Sequence, residues 1–335
     1  MKRIISLSLV LVFFAIPVIG CGQDTDTSPK SVTDTYSRET PLNEKISIVA
    51  TIFAPFDFAR AITGDKAEVI MLVPPAAESH SFEPTPQDII RIQNSDVFIY
   101  NGGNSDAWVD GILASMDKSK MNIVKFIDCV EVVEEEIVEG MEEDEHDDDI
   151  EYEDESDHEP EIDEHVWTSP RNARLIVQRI ADTICAADPD NSAVYKANTE
   201  NYITRLNELD LKFQAVVDSA VRKTLVFGDR FPFRYFVDAY GLDYLAAFPG
   251  CSTETEPSAA TVAFLIDKVK AEQIPVVFHA ELSNAKMANT IAEESGAKVL
   301  EFHACHNISR DDFQTGKTYI EIMNANIEAL KEALG

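Results

Sequence analysis

The chain carries seven histidines. Imidazole nitrogen is the side-chain donor that zinc and other late first-row divalent ions prefer, so their placement is the first clue to chemistry. His146 and His158 lie in a stretch crowded with carboxylates. The other five, His80, His165, His279, His303 and His306, fall at the ends of expected strands or in loops, where α/β folds place their ligands. His80 sits in a loop punctuated by proline, Glu78-Ser79-His80-Ser81-Phe82-Glu83-Pro84-Thr85-Pro86, and His165 in Asp163-Glu164-His165-Val166-Trp167-Thr168-Ser169-Pro170. His303 directly follows an expected strand, in Leu300-Glu301-Phe302-His303. Taken singly, each is equally a loop histidine that makes one hydrogen bond. Hydrolase signatures are missing: there is no His-Glu-x-x-His helix and no Gly-x-Ser-x-Gly elbow. The expectation is a binder, not an enzyme.

The elements that would position these residues alternate. Apolar runs at Ile46–Phe53, Ala67–Val73, Val97–Tyr100 and Asn122–Ile127 read as strands, with helical spacing at Phe56–Thr63, after Pro86 and from Asp106 to Asp117. The pattern restarts with strands at Thr224–Phe227, Tyr244–Phe248, Val276–Phe278 and Lys298–Phe302. Helices are expected between them at Phe233–Tyr240, Ser258–Glu272 and Ala285–Glu294, and a last one at Lys317–Leu334. Alternation of this kind signals parallel sheets covered by helices. Between the two halves, a helix opening at Pro170 is followed by one long helical pattern from about Asn191 to Val221 without Gly or Pro. At 1.5 Å per residue it would span roughly 45 Å, enough to bridge two lobes. The fold class is therefore α/β: two lobes with parallel sheets joined by one long backbone helix, and a ligand cleft between them. The expected divisions are residues 45–188, 189–221 and 222–335.

Charge is unevenly distributed. The formal net charge is −32, yet 21 Asp and Glu lie between Glu131 and Glu164 with no Lys or Arg among them, leaving −11 for the remainder. This balance excludes nucleic acid, whose binding depends on clustered Lys and Arg. It also disfavours anionic membrane surfaces and points to a cation. At the start, Lys2 and Arg3 precede an apolar run ending in Val18-Ile19-Gly20-Cys21. That is a secretory signal, residues 1–20, with Cys21 placed for acylation as in bacterial lipoproteins. Residues 21–44 hold almost no large apolar side chains and read as a flexible tether. Setting Cys21 aside, Cys129, Cys185, Cys251 and Cys305 remain, with three possible pairings; Cys251 with Cys305 is preferred because both fall in loop-like stretches of the second half.

The lipobox, the Ser79-His80-Ser81-Phe82-Glu83-Pro84-Thr85-Pro86 loop, Glu164-His165-Val166-Trp167 with Pro170-Arg171-Asn172-Ala173, Glu256-Pro257-Ser258 and Ile291-Ala292-Glu293-Glu294-Ser295-Gly296-Ala297-Lys298 occur in one unbroken order. Together they resemble the metal-binding lipoproteins of ABC importers for zinc and manganese over residues 45–335. The resemblance implies a monomer outside the cytoplasm, held at the cell membrane by its lipid, that binds one divalent ion in the cleft. The ion would then be delivered to an ABC permease and its ATPase. It implies Zn2+ as cargo, with manganese binding or a metal-dependent adhesin as alternatives. His80 and His165 match the family's first two metal-binding histidines. Arg230 stands where the third ligand would be, and a guanidinium has no lone pair to donate. His303 occupies the position of the usual fourth ligand. The replacement ligand could come from Glu281, from His279, Asp229 or His306; Glu281 is preferred, with Arg230 orienting its carboxylate. The resulting metal set is His80, His165, His303 and Glu281. The acidic loop, through His146 and His158, would capture metal weakly beside the cleft.

Overall fold

The computed structural model describes residues 45–119, 121–141, 161–250 and 257–335. The signal, the tether, Cys21, Cys251 and both histidines of the acidic segment lie outside the described residues. Glu44–Gly335 forms a single compact unit.

In the first lobe, strands β1 (Ile46–Ala50), β2 (Ala67–Met71), β3 (Val97–Tyr100) and β4 (Asn122–Lys125) alternate with helices α1 (Phe53–Thr63), α2 (Pro86–Gln93) and α3 (Ala107–Ser115). The four strands form one parallel sheet in the order β2-β1-β3-β4. Helices α4 (Pro170–Ala187) and α5 (Ser192–Asp218) follow. The second lobe contains β5 (Thr224–Phe231), α6 (Arg234–Tyr240), β6 (Asp243–Pro249), α7 (Ala259–Glu272), β7 (Val276–His279), α8 (Lys286–Ser295) and β8 (Lys298–Glu301), then α9 (Arg310–Thr315) and α10 (Tyr319–Leu334). Its sheet, β6-β5-β7-β8, repeats the first lobe's order with the same parallel sense. Each order reverses direction at one point, β1/β3 and β5/β7, and a crevice at the carboxyl ends of such strands is where open α/β sheets take ligands.

Some boundaries differ from the sequence pattern. Helix α1 begins at Phe53, three residues before the expected start, because Pro55 falls within the first turn, where a missing N–H costs nothing. Strand β5 runs to Phe231, past the expected end at Phe227, through an irregularity between Phe227 and Arg230. An irregularity of this kind re-aims the side chains around it. Helix α9 has no counterpart in the expected pattern.

Helix α5, with 27 residues, packs on α1 and α4 in the first lobe and on α10 and α6 in the second. Tyr195, Tyr202, Leu206, Leu209, Phe213 and Val217 are buried along it and join one apolar cluster that also includes Phe53, Phe58, Trp167, Phe227, Phe302 and Tyr319. The lobes thus share a core along their backs. Polar ties reinforce this: Tyr319 N donates to Asp57 Oδ2 at 2.8 Å, and Arg60 donates to the carbonyls of Gly316 and Lys317.

The first arm of the acidic segment crosses to the second lobe. Val133 N donates to the Tyr235 hydroxyl, Tyr244 donates to the Glu136 carbonyl, and Lys268 pairs with Glu139 at 3.0 Å. Its return brings Ile162 opposite Glu134 in an antiparallel bridge and delivers His165 to the cleft.

Candidate metal centre

Three histidines converge between the lobes. His80, His165 and His306 each offer a ring nitrogen, and these atoms lie within 4.8 Å of one another. The His80 and His306 rings meet edge to face at 4.8 Å between centroids, and His165 and His306 at 5.5 Å. All three line a small cavity together with Glu78, Arg230, Gly250 and Glu281.

His80 comes from the loop after β2, closed by a capping box. Thr85 accepts from Asp88 N, and the Asp88 carboxylate accepts from Thr85 N at 3.0 Å, with Pro86 at the first helical position. His80 Nδ1 is 2.7 Å from Ser105 Oγ, and that hydroxyl donates to Glu164 Oε1. With its one proton committed, Ser105 must accept from His80 Nδ1–H, which leaves the lone pair of Nε2 for a metal. Gly103, with φ 81°, makes this arrangement possible, since a Cβ there would stand 2.5 Å from Glu164 Oε2.

His165 is fully buried. Its N donates to Asp163 Oδ1 at 2.8 Å, and its Nδ1 lies 3.2 Å from the same oxygen. Nε2 has no partner although it is buried. A buried unpaired nitrogen is costly, and a cation accepting its lone pair would remove that cost. The donor set therefore fits a divalent ion.

Electrostatics agree. Burial first, then His165 and Arg230, pushes the His80 pKa down to about 3. Burial, His80, His165 and Arg230 hold His306 well below its ordinary value. Both are thus neutral and ready to ligate. For His165 burial opposes protonation, but the adjacent Asp163 carboxylate outweighs it and raises the pKa.

His306, not His303, completes the cluster. The sequence reading placed His303 there, but its Nδ1 accepts from Cys305 N at 2.9 Å and sits 3.7 Å from Glu281 Oε1. Asn326 of α10 clamps its main chain, accepting from His303 N and donating to its carbonyl. Cys305 then takes a left-handed conformation, φ 62°, and reverses the chain so that His306 enters the cleft. Glu281 lines the cavity, but outside the converging group. Its Oε2 accepts from Ala304 N at 2.7 Å and its Oε1 from His306 N at 2.8 Å. The carboxylate shapes the turn that presents His306. Arg230, expected to orient Glu281, lies 3.7 Å from Glu78 Oε1 instead. His279 Nδ1 is bound to the Ala280 carbonyl, and Asp229 Oδ1 accepts from Arg230 N. Of the preferred disulfide, Cys251 lies outside the described residues, and Cys305 is a free, buried thiol.

Sequence reasoning missed Ser105 and Asp163, the partners that orient His80 and His165. For Asp163 the signal was its place two residues before a candidate ligand; Ser105 lies 25 residues from His80 and gave none.

Residues 48–333 match the family described as ZnuA, zinc-uptake complex component A periplasmic. The chain belongs to this family. Among ZnuA relatives, the high-affinity zinc uptake system protein ZnuA of Bacillus subtilis is 34% identical over 87% of this chain and 88% of its own length. The zinc-binding lipoprotein AdcA of Streptococcus pneumoniae is 31% identical over 88% of this chain, which spans only 57% of that longer relative. The crystal structure of the Zn(II)-bound ZnuA-like domain of S. pneumoniae AdcA superposes with a TM-score of 0.70 at 30% identity, covering 87% of this chain and 99% of that domain. The two-lobed α/β fold is thus that of the ZnuA family.

Proposed function

We propose that this protein is the zinc-capturing component of a high-affinity importer, binding Zn2+ in the cleft through His80, His165 and His306. The observation that carries the reading is the buried, unpartnered Nε2 of His165 facing two neutral imidazoles. Three imidazoles without a converging carboxylate suit zinc better than manganese, which favours oxygen donors. Glu281 and Arg230 border the site, and His303 supports it from the turn. The protein acts by binding and release, as a monomer, and hands zinc to an ABC permease powered by its ATPase. Cys21 carries the lipid that holds the chain on the outer face of the cell membrane. Among the described residues no helix is long and apolar enough to cross a membrane.

The test is a competition titration of the chain with a chromophoric chelator, with zinc and manganese together. A single tight zinc site that is lost in His165→Ala is the expected result. Equal preference for manganese, or tight zinc binding that survives His165→Ala, would sink the reading. Metabolic labelling with a fatty-acid analogue tests the anchor, and Cys21→Ala should remove the label.

A further inference from the structure

The cleft contains a cation, a guanidinium, beside its three histidines. Arg230 lines the same cavity as His80, His165 and His306, and its charge reaches both His80 and His306. Neutral imidazoles contribute no charge, so the charges of a bound zinc ion and of Arg230 fall to the carboxylates around them. The nearby carboxylates do not converge with the histidines, and Asp229, whose Oδ1 accepts from Arg230 N, keeps its Oδ2 buried without a partner. Glu281 spends both oxygens on the backbone N–H groups of Ala304 and His306. Asp163 serves the backbone and ring of His165, and Glu164 serves Ser105. Glu78 remains, but its side chain is 54% exposed and stands 3.7 Å from the guanidinium, beyond hydrogen-bond distance. Three histidines also leave a tetrahedral zinc one ligand short.

Space continues past Arg230. A second cavity of about 260 Å3 shares Glu78, Arg230, Ala280, Glu281 and Leu282 with the histidine-lined one. It extends toward Ser283, Asn284 and Lys286, which offer donors to the remainder of a small acid, with the Asp229 carboxylate also in its wall. Guanidinium matches carboxylate in shape and donor spacing.

We propose that the cleft takes zinc together with a small carboxylate, which ligates the metal with one oxygen and is held by Arg230, so that the cargo is a zinc–carboxylate complex. This rests on the zinc reading above. It makes Arg230, a poor residue for a bare-metal site, the residue that selects the metal's companion.

Acetate is the probe. Zinc affinity of the full-length chain in detergent is measured by chelator competition in a buffer of non-coordinating anions, with acetate added stepwise. Affinity should rise about tenfold, the size of one charge-assisted hydrogen bond. The gain should vanish in Arg230→Gln and survive in part in Arg230→Lys. With Co2+ as the metal, acetate protons should relax faster in the presence of the wild-type chain and not of Arg230→Gln. A wild-type affinity that ignores acetate while zinc binds tightly overturns the proposal and leaves the zinc reading intact. An equal gain from chloride overturns it as well, because the site would then take any small anion. An acetate effect that appears only in Glu78→Gln assigns the position to Glu78 and overturns it for the native chain. Absence of tight zinc binding at every acetate concentration removes the zinc reading itself. The wild-type titration needs no variant to fold.

Discussion

The first lobe holds its two histidines by their rings, whereas the second holds His306 by its main chain. Nδ1 of His80 and of His165 each meets a partner, Ser105 backed by Glu164 in one case and Asp163 in the other. His306 instead donates its N–H to Glu281 and accepts at its carbonyl from Phe53 N of the first lobe. The neighbouring residues tie down the same stretch: Trp167 Nε1 donates to the Ala304 carbonyl, and Asn307 donates to the carbonyls of Pro74 and Ala77. One side of the site is therefore oriented within its own lobe by side-chain hydrogen bonds. The other side depends on a turn braced against the opposite lobe. A metal site assembled this way is half preformed and half conditional on how the lobes meet.

The comparison breaks most sharply at the two histidines of the turn. His306→Ala should weaken zinc binding more than the 10–100-fold typical of losing an outer partner, at least about hundredfold. His303→Ala should leave it nearly unchanged. Chelator competition on both variants decides between them, and the reverse ranking would return His303 to the site.

Next in size is the exchange of orienting groups. Asp163→Asn should cost roughly 10–100-fold in zinc affinity, because the amide no longer fixes the His165 ring as a carboxylate does. Glu281→Gln acts differently. Its amide can accept from only one of the two N–H groups at Ala304 and His306, so about 1–3 kcal/mol of stability should be lost even without zinc. Denaturant unfolding of the metal-free variants separates the two modes. Equal destabilisation by both substitutions would erase the distinction drawn above.

A third prediction concerns pH. Asp106 is buried beneath the first lobe's side of the site, accepting from Asn101 N, Gly102 N and the Thr51 hydroxyl. Burial chiefly raises its pKa to about 7. A carboxyl raised on folding contributes stability that is complete below its unfolded value near 4 and is lost as pH rises through 7. Asp106→Asn should remove that slope, a change of roughly a few kcal/mol between pH 4 and 7. Parallel unfolding curves for wild type and variant across this range would refute the assignment. The smallest effect is expected at the cap of the His80 loop, where Thr85→Ala should cost about 1 kcal/mol by thermal unfolding with little change in zinc affinity.

Much of the architecture was legible because periodicity is a local signal. Apolar runs of β1, β3 and β7 and the helical spacing of Tyr195, Tyr202, Leu206 and Phe213 announce their elements without reference to the rest of the chain. His80 and His165 were legible too, since each stands in a motif of recognisable order that leads to a proline at a helix start. The turn after β8 was not. His303 and His306 both follow the strand's end at Glu301, in irregular backbone where no period says which side chain faces the cleft.

By itself, the sequence determined two α/β lobes, a long helix between them and two of the three histidines that converge in the cleft. Tertiary structure decided the third. The left-handed residue Cys305, the Asn326 clamp on His303 and the Glu281 carboxylate beneath the turn come from separate elements, and only their meeting selects His306. It likewise carried a strand past its bulge to Phe231, an extension no local pattern foretold, with Arg230 near its end beside the histidines, where the resemblance had put it. Strand and helix periods are written in neighbouring residues, but the facing of a side chain in a turn is written in the packing of distant ones.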